Sequence, residues 1–333
     1  MTLSPSPARP RRVARLGSWS VRPAPRALSA CLGLVAAGFV VAVLAISTGE
    51  FTVPVPDVLK AVFGQGTPVA ELIVSRLRAP RVVTGLLVGA AFGMSGAIFQ
   101  SLTRNPLGSP DFIGFTAGAS TGGILAVVSG GTALHIAGGS LAGCVVTAAL
   151  VYGLAFRRGV QGYRLVLVGI GANALLVSVN SYLLTRANIN DAATAGAWLT
   201  GSLGGRGWEH AIPVGAAVAV LLPVCAYVSR PMRMMEMGDD AAAVVAGVLL
   251  CGVATAAAGP VVFVALAAPQ LARRLTRSSG VTMTASALTG AVLLTAADLA
   301  AQRVIAPAQL PVGVLTAAIG GVYLALLLRK DRH

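Results

Sequence analysis

The sequence contains few side chains that could carry out chemistry, and these lie far apart. His135, His210 and His333 have no second ligand at a spacing typical of metal sites. No G-x-x-x-x-G-K-[ST] loop is present, so the chain lacks that means of holding a nucleotide. Asp298 is the one acidic residue well inside an apolar segment, where carboxylates often relay protons, although Arg303 or water could neutralise it. These residues predict neither a catalytic centre nor a bound cofactor or metal.

The composition indicates the environment of these isolated polar residues. Of the 333 residues, 56% are hydrophobic and only 11% are charged, and the mean hydropathy is +0.81. A soluble domain carries about 25% charged residues, so this chain can hide its apolar side chains only in a bilayer. The net charge of +14 comes from basic residues that lie between apolar runs rather than on one face, which argues against a nucleic-acid partner.

Apolar segments of about 20 residues predict an all-α transmembrane bundle of ten spans. The candidate spans are 27–46, 81–101, 111–130, 134–156, 163–185, 211–229, 241–258, 260–276, 282–303 and 311–328. If the N-terminus lies inside, most basic residues fall on the cytoplasmic side, and the positive-inside rule then predicts that both termini are cytoplasmic.

Two regions differ in composition. Residues 1–26 are rich in Pro, Ser and Arg and predict a disordered basic cytoplasmic tail, with a signal peptide as the competing interpretation. Residues 27–333 form one transmembrane domain by the same analysis.

Small residues recur at four-residue spacing in two of the predicted spans. Gly89 and Gly93 lie in the second span, and Gly114, Gly118 and Gly122 follow in the third. Such spacing places glycine on one face of a helix and lets another backbone approach closely. We therefore predict that these glycines pack helices together.

Three stretches of the chain resemble one family in order and spacing. They contain, in turn, Arg78-Ala79-Pro80-Arg81, then Arg104-Asn105-Pro106-Leu107-Gly108-Ser109-Pro110-Asp111, and finally Phe263-Val264-Ala265-Leu266, Pro269-Gln270 and Leu310-Pro311-Val312-Gly313. In this arrangement the chain resembles the iron–siderophore and vitamin B12 permeases of ABC importers, the FecCD type. With Trp198 and Gly201-Ser202-Leu203, it is most similar to the ferric enterobactin-type permeases.

The resemblance implies a multi-pass protein of the cell membrane that is not itself an enzyme. Family members pair two permease subunits around a central path, and a separate cytoplasmic ABC ATPase hydrolyses ATP below them. An extracytoplasmic siderophore-binding protein docks on the outside. The substrate implied is a ferric siderophore, of the catecholate or enterobactin kind. Whether the second permease is identical or a paralogue stays open.

The resemblance also assigns roles to particular residues. Arg78 and Arg81, which with Arg76 form an unusual basic cluster on the predicted outer side, match the arginines that meet acidic residues of the binding protein. The competing interpretation is that they anchor a helix end by snorkelling. The motif residues Arg104, Asn105, Pro106, Leu107 and Pro110 lie on the cytoplasmic side. The segment that would contact the ATPase comprises Gly238, Asp239, Asp240, Ala241 and Ala242.

The chain departs from the family pattern between Gly238 and Gly259, where it is shorter by about three helical turns. Little chain is left for a separate coupling helix. We therefore predict that Asp239 and Asp240 lie at the cytoplasmic end of a helix continuous with 241–258, where carboxylates would also stabilise the helix N-terminus. A second departure is Gln270, where many relatives have histidine; because glutamine also donates and accepts hydrogen bonds, we expect little change.

Two other functions compete with the permease interpretation. A secondary transporter driven by an ion gradient would need several ionisable residues inside the membrane, and Asp298 is the one candidate. An intramembrane enzyme would need converging catalytic groups, and the sequence shows none.

Overall fold

The computed structural model describes residues 14–16, 19–21, 25–49, 51–156, 162–234, 240–278, 280, 282–305 and 308–330. Within these ranges two short strands, β1 Ala14–Leu16 and β2 Trp19–Val21, pair antiparallel. Both strands lie in the segment that the sequence analysis assigns to a disordered tail. The rest of the described chain is helices and their connections.

The helices follow one another in the order that hydropathy predicts, with short additional ones between them. They are α1 Pro25–Ser47, α2 Val55–Val62, α3 Pro68–Glu71, α4 Ala79–Thr103, α5 Phe115–Val128, α6 Ala133–Ala155, α7 Gly162–Arg186, α8 Ile189–Leu199, α9 Trp208–Met234, α10 Asp240–Ala258, α11 Val264–Thr276, α12 Met283–Ala301 and α13 Val312–Lys330. A π-helical segment, Leu72–Arg78, joins α3 to α4. Helices α2, α3 and α8 were not predicted, because they are too short to appear as spans.

The described helices include seven that are long and apolar enough to cross a membrane. These are α1, the continuous helix Pro68–Thr103, α6, α7, α9, α10 and α12. Two shorter apolar helices, Phe115–Val128 and Val312–Tyr323, accompany them. The protein is therefore an all-α polytopic membrane bundle, as predicted, while the count of ten spans and the side on which the termini lie stay predictions.

Helix α4 lies at the centre of the bundle. It packs against α12, α10, α11 and α9. Its largest side chains, Phe92, Ile98 and Phe99, are fully buried, and the ring of Phe99 meets that of Phe115 with centroids 5.1 Å apart. Polar groups on α4 find partners on neighbouring helices, since the Ser95 hydroxyl donates to the carbonyl of Gly247 at 2.7 Å. The centre of the bundle is thus packed tightly, with Ser95 bonded to a neighbouring helix.

Glycines bring α4 and α12 into backbone contact. A Cβ atom at Gly89 would overlap the carbonyl oxygen of Gly290, and one at Gly93 would overlap that of Ser286. The reverse also holds, because a Cβ at Gly290 would overlap the carbonyl oxygen of Gly89. Only glycine permits this approach along the seam.

A second glycine seam joins α5 to α6. A Cβ at Gly122 would overlap the carbonyl oxygen of Gly139, and one at Gly118 would overlap the hydroxyl of Thr147. Gly114 differs from the expected helix face, because it lies before the first turn of α5 with φ +89°. Its missing side chain faces Asn173 of α7, so Gly114 shapes the turn into α5 rather than the seam with α6.

The seam between α4 and α12 leads to a test with a matched control. Gly89→Ala should destabilise the protein by about 1–3 kcal/mol, because the added methyl group has no space against the α12 backbone. Gly33→Ala on α1 should leave stability unchanged or slightly raised, because no atom lies within 4 Å of a Cβ there. Thermal unfolding of the two detergent-solubilised variants checks this. Equal melting temperatures would show that the seam tolerates a side chain.

Candidate functional site

A cavity of about 610 Å³ lies at the end of the bundle where α4 begins. The end of α1 with the residues after it, the π-helical segment, the start of α4 and the connection into α9 surround it. Four arginines line it: Arg76, Arg78, Arg81 and Arg206. The structure therefore brings the three arginines that the sequence analysis noted into one site and adds a fourth from a distant part of the chain.

Pro80 follows the π-helical segment and leaves one of its carbonyl groups without a backbone partner. Proline has no backbone N–H, so the carbonyl of Ser75, which a π-helical bond would pair with residue 80, loses its partner. The indole Nε1 of Trp208 donates to that carbonyl at 2.8 Å instead. This bond holds the start of α9 against the π-helical segment. Arg76 and Arg206 consequently line the same cavity.

Arg78 is held by the backbone at the end of α1. Its Nη1 donates to the carbonyl of Ile46 at 2.8 Å, and its Nη2 donates to the carbonyl of Phe51 at 2.6 Å. The lack of a side chain at Gly49 makes room for the guanidinium group. Arg78 is thus oriented by neutral groups, which do not cancel its charge.

Arg81 forms a buried ion pair with Asp298 of α12. Its Nε donates to one carboxylate oxygen at 2.8 Å and its Nη2 to the other at 2.9 Å, which is a bidentate arrangement. The side chains are 15% and 6% exposed. Gln302 donates to the same carboxylate at 2.8 Å, and Arg81 Nη1 donates to the side-chain oxygen of Gln309 at 3.0 Å. The expected partner of Asp298, Arg303, instead contacts the hydroxyl of Thr48.

This ion pair bears on the proton-relay interpretation of Asp298. Both carboxylate oxygens of Asp298 accept hydrogen bonds from a cation or an amide. A carboxylate held in this way is fixed between two helices, which suits a structural role better than proton transfer.

The motif residues 104–110 form a compact turn at the opposite end of α4. Arg104 ends the helix in a left-handed conformation, with φ 49°. The side-chain oxygen of Asn105 accepts from the N–H of Leu107 at 2.9 Å, while Pro110 is buried. Leu107 is partly exposed at 37%. The motif therefore encodes a defined turn that presents Leu107 at the surface of the described chain.

Gln270 connects this turn to two other helices. Its Nε2 donates to the carbonyl of Pro106 at 2.7 Å, and its Oε1 accepts from the hydroxyl of Tyr323 on α13 at 3.3 Å. Gln270 thus uses both its donor and its acceptor.

Asp111, which ends the same stretch of sequence, carries a buried carboxyl group. Neither of its oxygens forms a well-aligned hydrogen bond with a described residue. Burial raises the pKa of Asp111 to about 7, and interactions with the N–H of Phe263 and the hydroxyl of Thr116 oppose this only in part. The sequence analysis did not anticipate a carboxyl group with a pKa near neutrality.

The coupling segment is described only in part. Gly238 and Asp239 lie outside the described residues. Asp240 is the first residue of α10, which continues without interruption to Ala258, and Ala241 and Ala242 are exposed. One helix therefore begins at the coupling segment and crosses the bundle, as predicted for Asp240.

Arg206, Gln302 and Gln309 are site residues that sequence reasoning missed. No local motif marks them, because each gains its role from a contact across the fold. The intramembrane position of Asp298 was the one signal available, since a buried carboxylate requires a cation nearby.

The Arg81–Asp298 pair makes the second prediction. Asp298→Asn should lower the free energy of unfolding by roughly 3 kcal/mol, because Arg81 is left buried without its counter-charge. The double variant Arg81→Met with Asp298→Leu should recover much of this loss. Lys60→Gln, at the exposed pair Lys60–Asp57, serves as control and should cost less than about 1 kcal/mol. Thermal unfolding of the single, double and control variants measures these losses. Equal losses in the free energy of unfolding in all three variants would contradict a buried ion pair.

Asp111 leads to a prediction on pH. The folded protein binds a proton at Asp111 up to about pH 7, whereas the unfolded chain releases it near 3.8. The stability that this bound proton contributes is fully present below pH 3.8 and is lost as pH rises through about 7. The melting temperature of Asp111→Asn, relative to wild type, should therefore rise by several degrees between pH 5 and pH 8. Asp57→Asn at an exposed site should show no such trend. A parallel pH dependence in Asp111→Asn and wild type would refute the raised pKa.

Comparison with known proteins extends over nearly the whole chain. The FecCD transport family matches residues 37–330. The chain is 43% identical to the ferric enterobactin transport system permease protein FepG of Escherichia coli (strain K12), over 92% of this chain and 97% of that protein. It is 36% identical to the probable siderophore transport system permease protein YfhA of Bacillus subtilis (strain 168), over 90% and 94%.

The fold comparison agrees with the sequence comparison. A solved structure described as an inward-facing conformation of a metal-chelate type ABC transporter superposes with a TM-score of 0.78 at 25% identity. The match covers 91% of this chain and 99% of that one. Both the order of the motifs and the course of the helices are thus those of one group of permeases, and the chain belongs to the FecCD transport family.

Proposed function

We propose that this protein is the permease subunit of an ABC importer that moves a ferric siderophore of the catecholate class into the cytoplasm. The observation that carries the proposal is the 43% identity to the ferric enterobactin permease over nearly the full length of both proteins. Relatives named for hydroxamate, citrate and vitamin B12 are 30–33% identical. The higher identity supports a substrate like enterobactin. The permease itself is not catalytic, and a cytoplasmic ABC ATPase hydrolyses the ATP.

The proposed topology has ten spans with both termini in the cytoplasm. It extends the seven long helices by the shorter helices α5, α11 and α13, whose positions coincide with predicted spans. It also places the basic end of α11, with Arg273 and Arg274, on the cytoplasmic side, where the positive-inside rule favours it. In this orientation the arginine-lined cavity opens to the outside and residues 104–110 face the cytoplasm.

Docking of an extracytoplasmic siderophore-binding protein is proposed at Arg78 and Arg81, with unequal roles. Arg78 keeps an uncancelled charge that can attract a carboxylate of the partner. Arg81 is engaged by Asp298, so its contribution is to fix the rim of the cavity by tying α4 to α12. A second permease subunit, identical or paralogous, completes the transport path.

Coupling to the ATPase is proposed at Gly238, Asp239, Asp240, Ala241 and Ala242, with the turn at residues 104–110 on the same, cytoplasmic side. Because α10 begins at Asp240 and leads directly into the bundle, docking element and span are one helix. Less surface is available for the ATPase than a separate coupling helix would offer, which favours a weaker association than in longer relatives. The ion-gradient alternative loses the carboxylate on which the sequence analysis based it, since Asp298 is held by Arg81.

Reconstitution tests the proposed function. Proteoliposomes that contain the permease with its partner permease and ATPase should accumulate ferric enterobactin when ATP and the binding protein are supplied. Omission of ATP should abolish uptake, whereas collapse of proton and sodium gradients should leave it intact. Uptake that follows an ion gradient without ATP would overturn the proposal. Uptake of ferric hydroxamates but not of ferric enterobactin would overturn the catecholate assignment alone.

A further inference from the structure

The cavity contains more positive charge than the described side chains around it neutralise. Arg76, Arg78 and Arg206 line it, and no carboxylate of the described chain lies within ion-pair distance of them. Arg81 differs, because Asp298 neutralises it. Among the described lining residues Glu209 is the one acid, so the three unpaired arginines leave an excess of two positive charges.

The positive charge of Arg206 is partly withdrawn from water. Burial lowers the pKa of the Arg206 guanidinium from its ordinary value, and Glu209 opposes the shift only in part. The local contacts of Arg206 are the carbonyl of Ser202 at 3.4 Å and a ring nitrogen of His210 at 3.1 Å. A cation withdrawn from water interacts more strongly with a bound anion than an exposed one does.

The volume and chemistry of the cavity suit a compact polyanion. A volume of about 610 Å³ lies within the range of small-molecule sites, roughly 300–1,000 Å³. Guanidinium groups bind paired oxygens through two parallel N–H bonds. A catecholate offers two adjacent oxygens, and three doubly deprotonated catecholates on Fe(III) leave a net charge of −3. Three hydroxamates on Fe(III) leave no net charge.

We propose that the arginine-lined cavity is an outer binding site for the ferric chelate itself, and that Arg76, Arg78 and Arg206 select trianionic catecholate complexes over neutral hydroxamate complexes. This inference rests on the proposed function in assuming a ferric chelate as substrate. It goes further in assigning the cavity to the chelate rather than to the binding protein alone. The cavity would receive the chelate when the binding protein releases the chelate, because the released anion and the positively charged cavity attract one another.

The test measures chelate binding without transport. The complete transporter, with partner permease and ATPase, is placed in nanodiscs of neutral phosphatidylcholine in the absence of the binding protein. Ferric enterobactin and the neutral hydroxamate complex ferrichrome are then titrated separately. In the variant Arg76→Gln with Arg206→Gln, Kd for ferric enterobactin should rise at least tenfold, and the difference should shrink at high salt. Kd for ferrichrome should not change.

Arg186→Gln provides the matched control. Arg186 is an exposed arginine at the end of α7 that does not line the cavity. Its replacement removes one positive charge from the chain without changing a lining residue of the cavity. Because salt screens an exposed charge, Kd for ferric enterobactin should stay within about twofold of wild type.

Two other anions could occupy the same arginines, and further measurements separate them. If Arg76→Gln with Arg206→Gln weakens docking of the empty binding protein but leaves Kd for the chelate unchanged, the cavity is a docking surface and the proposal is wrong. If nanodiscs with phosphatidylglycerol abolish chelate binding in wild type, and the variant loses co-purified phosphatidylglycerol, the site belongs to a lipid headgroup. Failure of the proposed function would look different, with no ATP-driven uptake of ferric enterobactin even by wild type.

Discussion

Helices α4 and α12 run antiparallel at backbone contact, and this register determines where the charged side chains meet. Gly89 and Gly93 of α4 face Gly290 and Ser286 of α12, so four residues forward on one helix match four residues back on the other. Eight residues before Gly89 stands Arg81, and eight residues after Gly290 stands Asp298, and these two form the bidentate ion pair. The glycine seam therefore brings the guanidinium and the carboxylate together. A seam opened by larger side chains would leave both charges buried and apart, at a cost of several kcal/mol.

The cavity depends on this alignment and on one proline. Pro80 cannot donate a backbone hydrogen bond, so the Ser75 carbonyl in the π-helical segment before it accepts from the indole of Trp208 instead. That bond places Arg206, two residues earlier, in the lining of the same cavity as Arg76. Asp298 meanwhile neutralises Arg81, so Arg81 does not add to the unpaired positive charge of the cavity. The result is a site whose positive charge comes mainly from residues outside the family motif, which is a physical basis for substrate selection that can differ among relatives.

At the other end of the bundle, the short helices α5 and α11 converge on Asp111. Thr116 lies in the first turn of α5 and Phe263 precedes α11, and both interact with this carboxyl group. The positive ends of two helix dipoles favour the charged form, but burial outweighs them and the pKa rises to about 7. Gln270 joins the adjoining turn at Pro106 to Tyr323 on α13. Movement of the turn at residues 104–110 is thereby linked to α5, α11 and α13.

Much of this protein could be predicted from the order of its residues alone. Hydropathy located the long helices, since a bilayer demands continuous apolar segments, and the run Arg104–Asp111 indicated the family because a long motif rarely recurs by chance. Local spacing also marked Gly89 and Gly93 as contact residues. The sequence could not supply the partner of each group: the ion pair of Asp298 with Arg81 rather than Arg303, the presence of Arg206 and Arg76 in one cavity, and the position of Gly114 outside α5. These outcomes depend on contacts between residues as many as 217 positions apart. Tertiary structure alone decides them, because the energy of a buried charge or a backbone contact depends on what the fold brings opposite it.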